Sequence, residues 1–549
     1  MRRIKNALGI IDSGQTYTCF FITAFLMLAY NMSVMAYDMS TYDFEVDGIY
    51  YDSLSANTCE VVRGEGYPVE SLVIPNKVTF AGKDFDVTRI GAIAFYNQSS
   101  LKSIHIPSGI TAIGREAFMH CSGLTSIEVD AGNPIYSSYE GALYCKDRTS
   151  LIYVPAGKTE YVIPVGCVEI RDDAFYLCSS LKHLDVCSTV TKIGSNAFAG
   201  CDSLATISIP SGVEYIGDYA FAGCTTLESL VLPSSLKQIG EHVLSFCSSL
   251  KTFVWPSAIT TIPLSSFEGC TQLESIEIPM GVTAIGDKAF SQCDSLKRVE
   301  LPGSLETIGS CCFYGCKLIE SPNLPNNISM IGSQAFEYCI EVDTITLTAK
   351  ISEIGELAFN GCKNLACIMV EDGNNSYMSF KGALYDYNLK KLIRVPSVAV
   401  SDSILTTTIS ISPYAYFGCR SLTKVNIPGS VSTIGKWAFV GCAALDSVYM
   451  TTPTDLTGTY LPQNTRTLYV PKGKKSDFEE SVYYIEQYSL FKAIEEYGDT
   501  PTSITESLIR QGKIHEAPIA YNLMGIKIKE PKSCLKKGVY IVGGKKVVL

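Results

Sequence analysis

The chain has 549 residues, 46% hydrophobic and 18% charged, and its 44 basic and 55 acidic side chains leave a net charge of −11. This composition excludes a disordered chain, and the acidic balance argues against a nucleic-acid partner, which needs a basic face. The length would ordinarily imply several domains, but a repeat replaces that estimate with stacked units that touch only their neighbours.

In chain order, Arg2, Arg3 and Lys5 precede an apolar run from Cys19 to Tyr30, and Val34-Met35-Ala36 offers a small-residue cleavage site. Residues 1–36 therefore read as an export signal. The run falls short of the roughly 20 apolar residues that span a bilayer. No other segment is apolar enough, so the mature chain is expected to be secreted or at the cell surface without a transmembrane span. Residues 37–89 are strand-like, with alternation over Tyr42-Asp43-Phe44-Glu45-Val46 and a turn at Asp47-Gly48. They are expected to form an N-terminal β cap, because a first coil otherwise exposes a bare apolar face and an unpaired edge.

Repeats then start at Ile90, Ile113, Ile170, Ile193, Ile216, Ile239, Ile262, Ile285, Ile308, Ile331, Ile354, Ile411 and Ile434. Every step is 23 residues except Ile113 to Ile170 and Ile354 to Ile411, which are 57. The 34 extra residues in each are related to one another: Gly132–Pro155 and Gly373–Pro396 share GALY and a final L-I-x-V-P, which suggests a hairpin followed by an irregular coil. Within each unit, the residues four, five and eight after the anchor (Ala220, Phe221, Cys224) have the spacing of one face of a short helix. Leu230 and Leu232 face one way and Val231 the other, as in a strand that ends at a proline.

The motif IGxxAFxxCxxLxxIxIP, in thirteen in-phase copies, resembles the leucine-rich repeats of the BspA type found in bacterial surface proteins. The resemblance covers about residues 40–496. Local departures are Val243-Leu244 in place of Ala-Phe, Pro322 within a strand and Gln98 at the usual cysteine. The expected fold is α/β, a leucine-rich-repeat solenoid of 23-residue coils with one parallel strand and a short helix or turn per coil, capped at both ends. The solenoid is expected over 90–450 with excursions at 131–169 and 371–410. A C-terminal cap is expected over 451–496, with Thr467–Pro471 as its last strand and a Ser476/Glu479 capping box opening a helix from Asp477 to Tyr488. A linker (497–504) and a small β tail complete the chain at 549. The tail resembles the C-terminal segments of exported Bacteroidetes proteins, which implies a sorting role.

Twelve of the 21 cysteines fall eight residues after an anchor, a spacing unlike that of zinc ligands. They read as a column of small buried thiols; stacked side chains lie close enough for a disulfide but struggle to meet its torsion. Cys311, Cys312 and Cys316 cluster, but two of them occupy repeat positions. His105, His120, His183 and His242 share no column, so they do not converge on a catalytic site, and no cofactor, metal or enzymatic activity is expected.

The free positions are the outward strand residues: His105, Glu128, Asp185, Ser208, Val231, Val254, Glu277, Glu300, Asn323, Thr346, Met369, Asn426 and Tyr449. Val231 and Val254 form an apolar spot beside the acidic Glu277 and Glu300. The tyrosine-rich excursions compete as binding elements through Tyr139, Tyr144, Tyr377 and Tyr385. Both are weighed against a bland reading, in which β-branched residues and irregular coils need no ligand. The resemblance implies adhesion or protein recognition at the cell surface, with an extracellular protein or glycan as partner. A structural envelope protein without a dedicated ligand and a carbohydrate-active accessory are the alternatives.

Overall fold

The computed structural model describes residues 42–498 apart from 65, 68, 399–403, 463–464, 466 and 482–490, and the backbone of 539–542 and 545–548. The export signal, the linker beyond residue 498 and most of the tail lie outside the described residues; within the tail, Val539–Val542 and Lys545–Val548 pair antiparallel. The chain divides into two compact units, Met1–Lys146 and Asp147–Leu549.

The first unit begins with strands β1 (Phe44–Val46), β2 (Ile49–Ser53), β3 (Thr58–Val61), β4 (Ser71–Val73), β5 (Lys77–Phe80) and β6 (Lys83–Ile90). Asp47 and Gly48, at φ of 52° and 78°, close the β1–β2 hairpin. β3 pairs antiparallel with β2 but parallel with β6, and β6 ends at the first anchor, Ile90, in parallel register with Ala112–Ile113. This β cap thus changes an antiparallel meander into the parallel ladder of the coils.

The second unit carries two parallel ladders. Anchor isoleucines pair directly from coil to coil, as in Ile170↔Ile193 and Ile193↔Ile216. The strand halves do the same, as in Ser208↔Val231 and Val254↔Glu277. Both bury alternate apolar residues, since one coil alone cannot cover its stripe. Pro322 removes the strand of its coil, and Ser321 takes over: its Oγ accepts the N–H groups of Asp343 and Thr344, both at 3.0 Å. At Val243-Leu244 both side chains remain buried, and the coil is intact.

The Ala-Phe-Cys segment takes the form of a turn and not a helix. In all thirteen coils the residue three after the anchor is non-glycine with φ between 51° and 62°, from Ile93 to Trp437. The residue seven after the anchor is also left-handed, with φ between 58° and 79°, and it is glycine in seven coils, Gly200 and Gly223 among them. A left-handed residue every four positions stops any helix from propagating. The turns instead form a third ladder. Asn196, Phe198 and Gly200 donate their N–H groups to the carbonyls of Asp218, Ala220 and Ala222 in the next coil, each at 2.8 Å. The hydrogen bonds between coils compensate a left-handed cost of about 1–2 kcal/mol per residue. The glycine that follows ten of the thirteen anchors answers a different need. A Cβ on Gly217 would stand 2.5 Å from the Ser195 backbone nitrogen, so close coil approach selects it.

Phenylalanine and cysteine fill the inside of this turn. Phe175, Phe198 and Phe221 stack at centroid distances of 5.0 and 5.2 Å, close to the spacing of paired strands. Each column cysteine donates its S–H to the preceding coil's carbonyl, as Cys224 to Phe198 and Cys247 to Phe221, both at 3.1 Å. All twelve column cysteines are free thiols. The column therefore supplies a second, weak donor to buried carbonyls that already accept a backbone N–H within their own coil, as Phe198 does from Cys201. At Gln98, where the cysteine is missing, the side chain accepts the Tyr67 N–H from the cap.

Both excursions are hairpins followed by an added strand. Tyr136–Tyr139 pairs with Ala142–Cys145, and Tyr377–Phe380 with Ala383–Asp386. Each turn holds two left-handed residues, Glu140-Gly141 and Lys381-Gly382. Each hairpin is anchored by one buried asparagine. Asn374 donates to the carbonyls of Thr348 and Ile351 and accepts the N–H groups of Ser376 and Tyr377. Asn133 repeats the pattern with Pro107, Ile110, Ile135 and Tyr136. Asn374→Ala leaves these four groups unpaired, and a loss of about 2–3 kcal/mol in urea unfolding is expected; a change within experimental error contradicts this anchoring role.

After Ile434 the letters decay, but the turn ladder continues. Trp437 donates to the carbonyl of Gly458 and Phe439 to that of Thr459. Thr467–Pro471 is not the last strand, because Ala493–Tyr497 adds parallel to it. The short helix is Lys475–Glu479, with Lys474 at its N-cap and no side-chain cap hydrogen bond, so the Ser476/Glu479 capping box does not form. Ser476 is already inside the helix. Residues 482–490 of the expected helix lie outside the described residues.

Candidate binding surface

The outward strand positions in the second unit form a solvated face. Val231 is 80% exposed and Val254 62%, and their strands lie side by side. Glu277 is exposed and pairs in register with Val254, and exposed Glu300 follows in the next coil. The four candidates are thus brought together as one stripe across four consecutive coils. Exposed Met280 lies three residues past Glu277. The stripe is bracketed by two shallow depressions. One, of about 330 Å³, is lined by Ser208, Ser211, Val231 and Pro233. The other, of about 290 Å³, is lined by Arg298, Glu300, Ser321 and Pro322, where the proline has removed a strand.

The excursion tyrosines divide. Tyr144 and Tyr385 are fully buried, so neither contacts a ligand from solvent. Each points inward from its hairpin, Tyr385 into the cluster that holds Leu392 and Ile411. Their shared GALY letters serve packing. Tyr139 and Tyr377 are half-buried, and the Tyr377 hydroxyl accepts the Ile354 N–H at 3.0 Å.

A surface missed by the sequence reading starts three residues after Ile411 and Ile434 and continues one 23-residue step beyond the last anchor. Tyr414, Trp437 and Tyr460 form a ladder with centroid distances of 5.2 and 6.2 Å, and Trp437 and Tyr460 are exposed. Taking the segment as a helix hid this column; alignment of Tyr414, Trp437 and Tyr460 at the 23-residue step would have revealed it. A second ladder, Tyr449 on Tyr469 at 4.6 Å, continues to Tyr497.

Among the described residues no group of three His, Cys, Asp or Glu side chains is placed to hold a metal. Cys311, Cys312 and Cys316 form no such group. The histidines remain separate. His105 Nε2 meets Asp130 at 2.9 Å in a half-exposed pair, and Asp130 also accepts the Ser108 N–H. His242 stacks on Tyr219 at 4.3 Å, and burial holds its imidazole below the ordinary value. His183 is exposed. His515 lies outside the described residues. Burial pushes the thiols of Cys178, Cys224, Cys270 and Cys362 up to about 12, so these stay protonated and unreactive at neutral pH.

The profile of the BspA type leucine rich repeat region matches residues 69–161, 156–274, 260–386 and 397–506. A leucine-rich repeat protein from Bacteroides ovatus is 26% identical; the match covers 83% of this chain and 100% of that one, with a TM-score of 0.41. One from Eubacterium ventriosum is 30% identical over 47% of this chain and 62% of that one, with a TM-score of 0.37. A leucine rich cell surface protein from Faecalibacterium prausnitzii is 21% identical over 85% of this chain and 97% of that one, with a TM-score of 0.27. No curated protein matches the chain. Among the described residues no helix is long and apolar enough to cross a membrane.

Proposed function

We propose, from the premise that this chain belongs to the BspA-type leucine-rich-repeat family, that it is an exported, non-enzymatic recognition protein of the bacterial surface. Its partner is an extracellular or cell-surface protein, and it binds on the outward sheet face. The observation that carries this reading is the stripe Val231–Val254–Glu277–Glu300. Two strongly exposed valines stand in register beside two carboxylates on a face that is otherwise solvated. An apolar centre with a charged rim is the anatomy of a small protein-binding patch. Tyr144 and Tyr385 take no part in it, because they are core residues.

The test is a pull-down from host and bacterial surface extracts with the wild-type chain and a Val231→Glu/Val254→Glu variant. Deleting an excursion is the wrong control, since Lys391–Arg394 is a strand of the stack. Saturable capture by the wild type that falls at least about tenfold in the variant is expected, as apolar centres dominate such interfaces. Equal capture by both removes the sheet face from the reading.

A second reading, glycan recognition, is favoured by the exposed ladder Tyr414–Trp437–Tyr460, because flat aromatic platforms suit the apolar faces of sugars. It is separated from the first by Trp437→Ala, which should abolish glycan capture and leave protein capture intact.

A further inference from the structure

The turn ladder of the second unit is interrupted once, where the coil of Ile354 meets the second excursion. In the preceding coil, Gln334, Phe336 and Tyr338 donate their N–H groups to Glu356, Ala358 and Asn360. The equivalent N–H groups of Leu357, Phe359 and Gly361 have no partner among the described residues. In front of this coil lies a cavity of about 330 Å³, lined by Leu357, Phe359, Asn360, Arg394, Ser412 and Tyr414 among others.

Three buried side chains of this lining carry polar atoms without a partner: Asn360 Nδ2, Arg394 Nε and Ser412 Oγ. The residues are 2%, 4% and 8% exposed. Arg394 is held rigidly from the far side. Its Nη1 donates to the carbonyls of Tyr414 and Ala415, and its Nη2 to Ser397 Oγ at 3.2 Å and the Phe417 carbonyl at 3.0 Å. It thereby caps the carbonyls of the next coil, and its Nε–H is left over. Among the described residues no carboxylate forms an ion pair with it. Glu337, the buried acid whose field reaches Arg394, accepts the Gln334 Nε2–H at its Oε2. Burial works against the Arg394 charge. A fixed buried cation with unspent donors around it is costly unless an anion completes it.

We infer that this cavity is a binding site for a small organic carboxylate, up to about the size of an acidic monosaccharide. A planar carboxylate matches the donor set: one guanidinium N–H, one amide, one hydroxyl and the peptide N–H groups of the interrupted turn. Arg394 is the one buried charge of the lining; Lys391, Glu356 and Asp386 line its more exposed part, and the two carboxylates there make a doubly charged phosphate a poorer occupant than a single carboxylate. Tyr377, Ile393, Pro413 and Tyr414 wall part of the remaining space, and its volume lies at the lower end of small-molecule pockets. The first excursion has lost this chemistry. At the aligned positions Met119, Tyr153 and Arg171 stand in the sequence where the second has Asn360, Arg394 and Ser412. The site is independent of the sheet-face stripe.

The full chain is titrated calorimetrically with acetate, glucuronate, glucose, sulfate and inorganic phosphate at constant ionic strength. Saturable binding of glucuronate and weaker binding of acetate are expected, with none for glucose. Because Arg394 also supports its neighbouring coil, the diagnostic variant is Asn360→Ala/Ser412→Ala. It should keep the wild-type melting temperature without ligand and lose at least about tenfold in glucuronate affinity. Absence of saturable carboxylate binding, or binding that this variant does not weaken, overturns the site. Preference for sulfate or phosphate over both carboxylates overturns the ligand class.

Discussion

Raising the pH from 9 to about 10.5 in the presence of reductant should unfold the second unit cooperatively. The cause is the buried thiols. Cys178, Cys224, Cys270 and Cys362 are pushed up from the ordinary 9.0 to about 12. Cys201, Cys247, Cys293, Cys312 and Cys339 are also raised well above the ordinary value, all nine chiefly by burial. A group whose folded pKa is raised contributes stability that is complete below its unfolded value. That stability is lost as the pH climbs toward the folded value, because only the unfolded chain releases the proton. Each such thiol costs about 1.4 kcal/mol per pH unit above 9. Nine of them withdraw on the order of 10 kcal/mol per pH unit, comparable with the whole stability of a typical domain. Urea unfolding at several pH values checks this. The slope of stability against pH should fall by about 1.4 kcal/mol per pH unit for each thiol removed in a Cys224→Ala/Cys247→Ala/Cys270→Ala series. An unchanged slope would sink the explanation.

Phe290→Ala should cost about 3–5 kcal/mol and split the unfolding transition. The ring is 0% exposed and lies between Phe267 at 5.3 Å and Phe313 at 5.4 Å. Its removal leaves a cavity and also deletes two stacked contacts, each worth about 0.5–1.5 kcal/mol beyond burial. Since each coil touches only its neighbours, a gap in mid-stack uncouples the coils before it from those after it. Circular dichroism in urea should show two transitions in place of one. Glu277→Ala, on the solvated face one coil earlier, should stay within about 0.5 kcal/mol of wild type. A single unshifted transition for Phe290→Ala contradicts the nearest-neighbour picture.

The period, the anchors, the column of thiols and the two related hairpins were all legible, because stacking writes the same letter at the same step. The turn was not. Ala220, Phe221 and Cys224 have helical spacing, and the left-handed residue that forbids the helix, Tyr219, is not a glycine that would announce it. The same is true in all thirteen coils. Along the sheet face, the exposure of Val231, Val254, Glu277 and Glu300 followed from strand alternation alone. Tyr144 and Tyr385 were misjudged because a tyrosine-rich hairpin resembles a binding loop, although their place in a shared motif already pointed to packing. The cavity at Arg394 was out of reach. It depends on the vertical alignment of Asn360, Arg394 and Ser412 across a step where the period fails.

The turn ladder has a direction. The N–H groups of Asn196, Phe198 and Gly200 point to the following coil, and the carbonyls of the intervening Ser195, Ala197 and Ala199 accept from the preceding one, as do their counterparts. A run of coils is therefore an arrow with a donor end and an acceptor end. Two exposed ends of the same kind repel, whereas unlike ends complete one another, so copies of such a run join head to tail and never head to head. An open head-to-tail contact has no built-in stop and leads to filaments. The strands beyond the regular coils, from Phe44 at one terminus to Tyr497 near the other, are thus as much a brake on polymerisation as a source of stability.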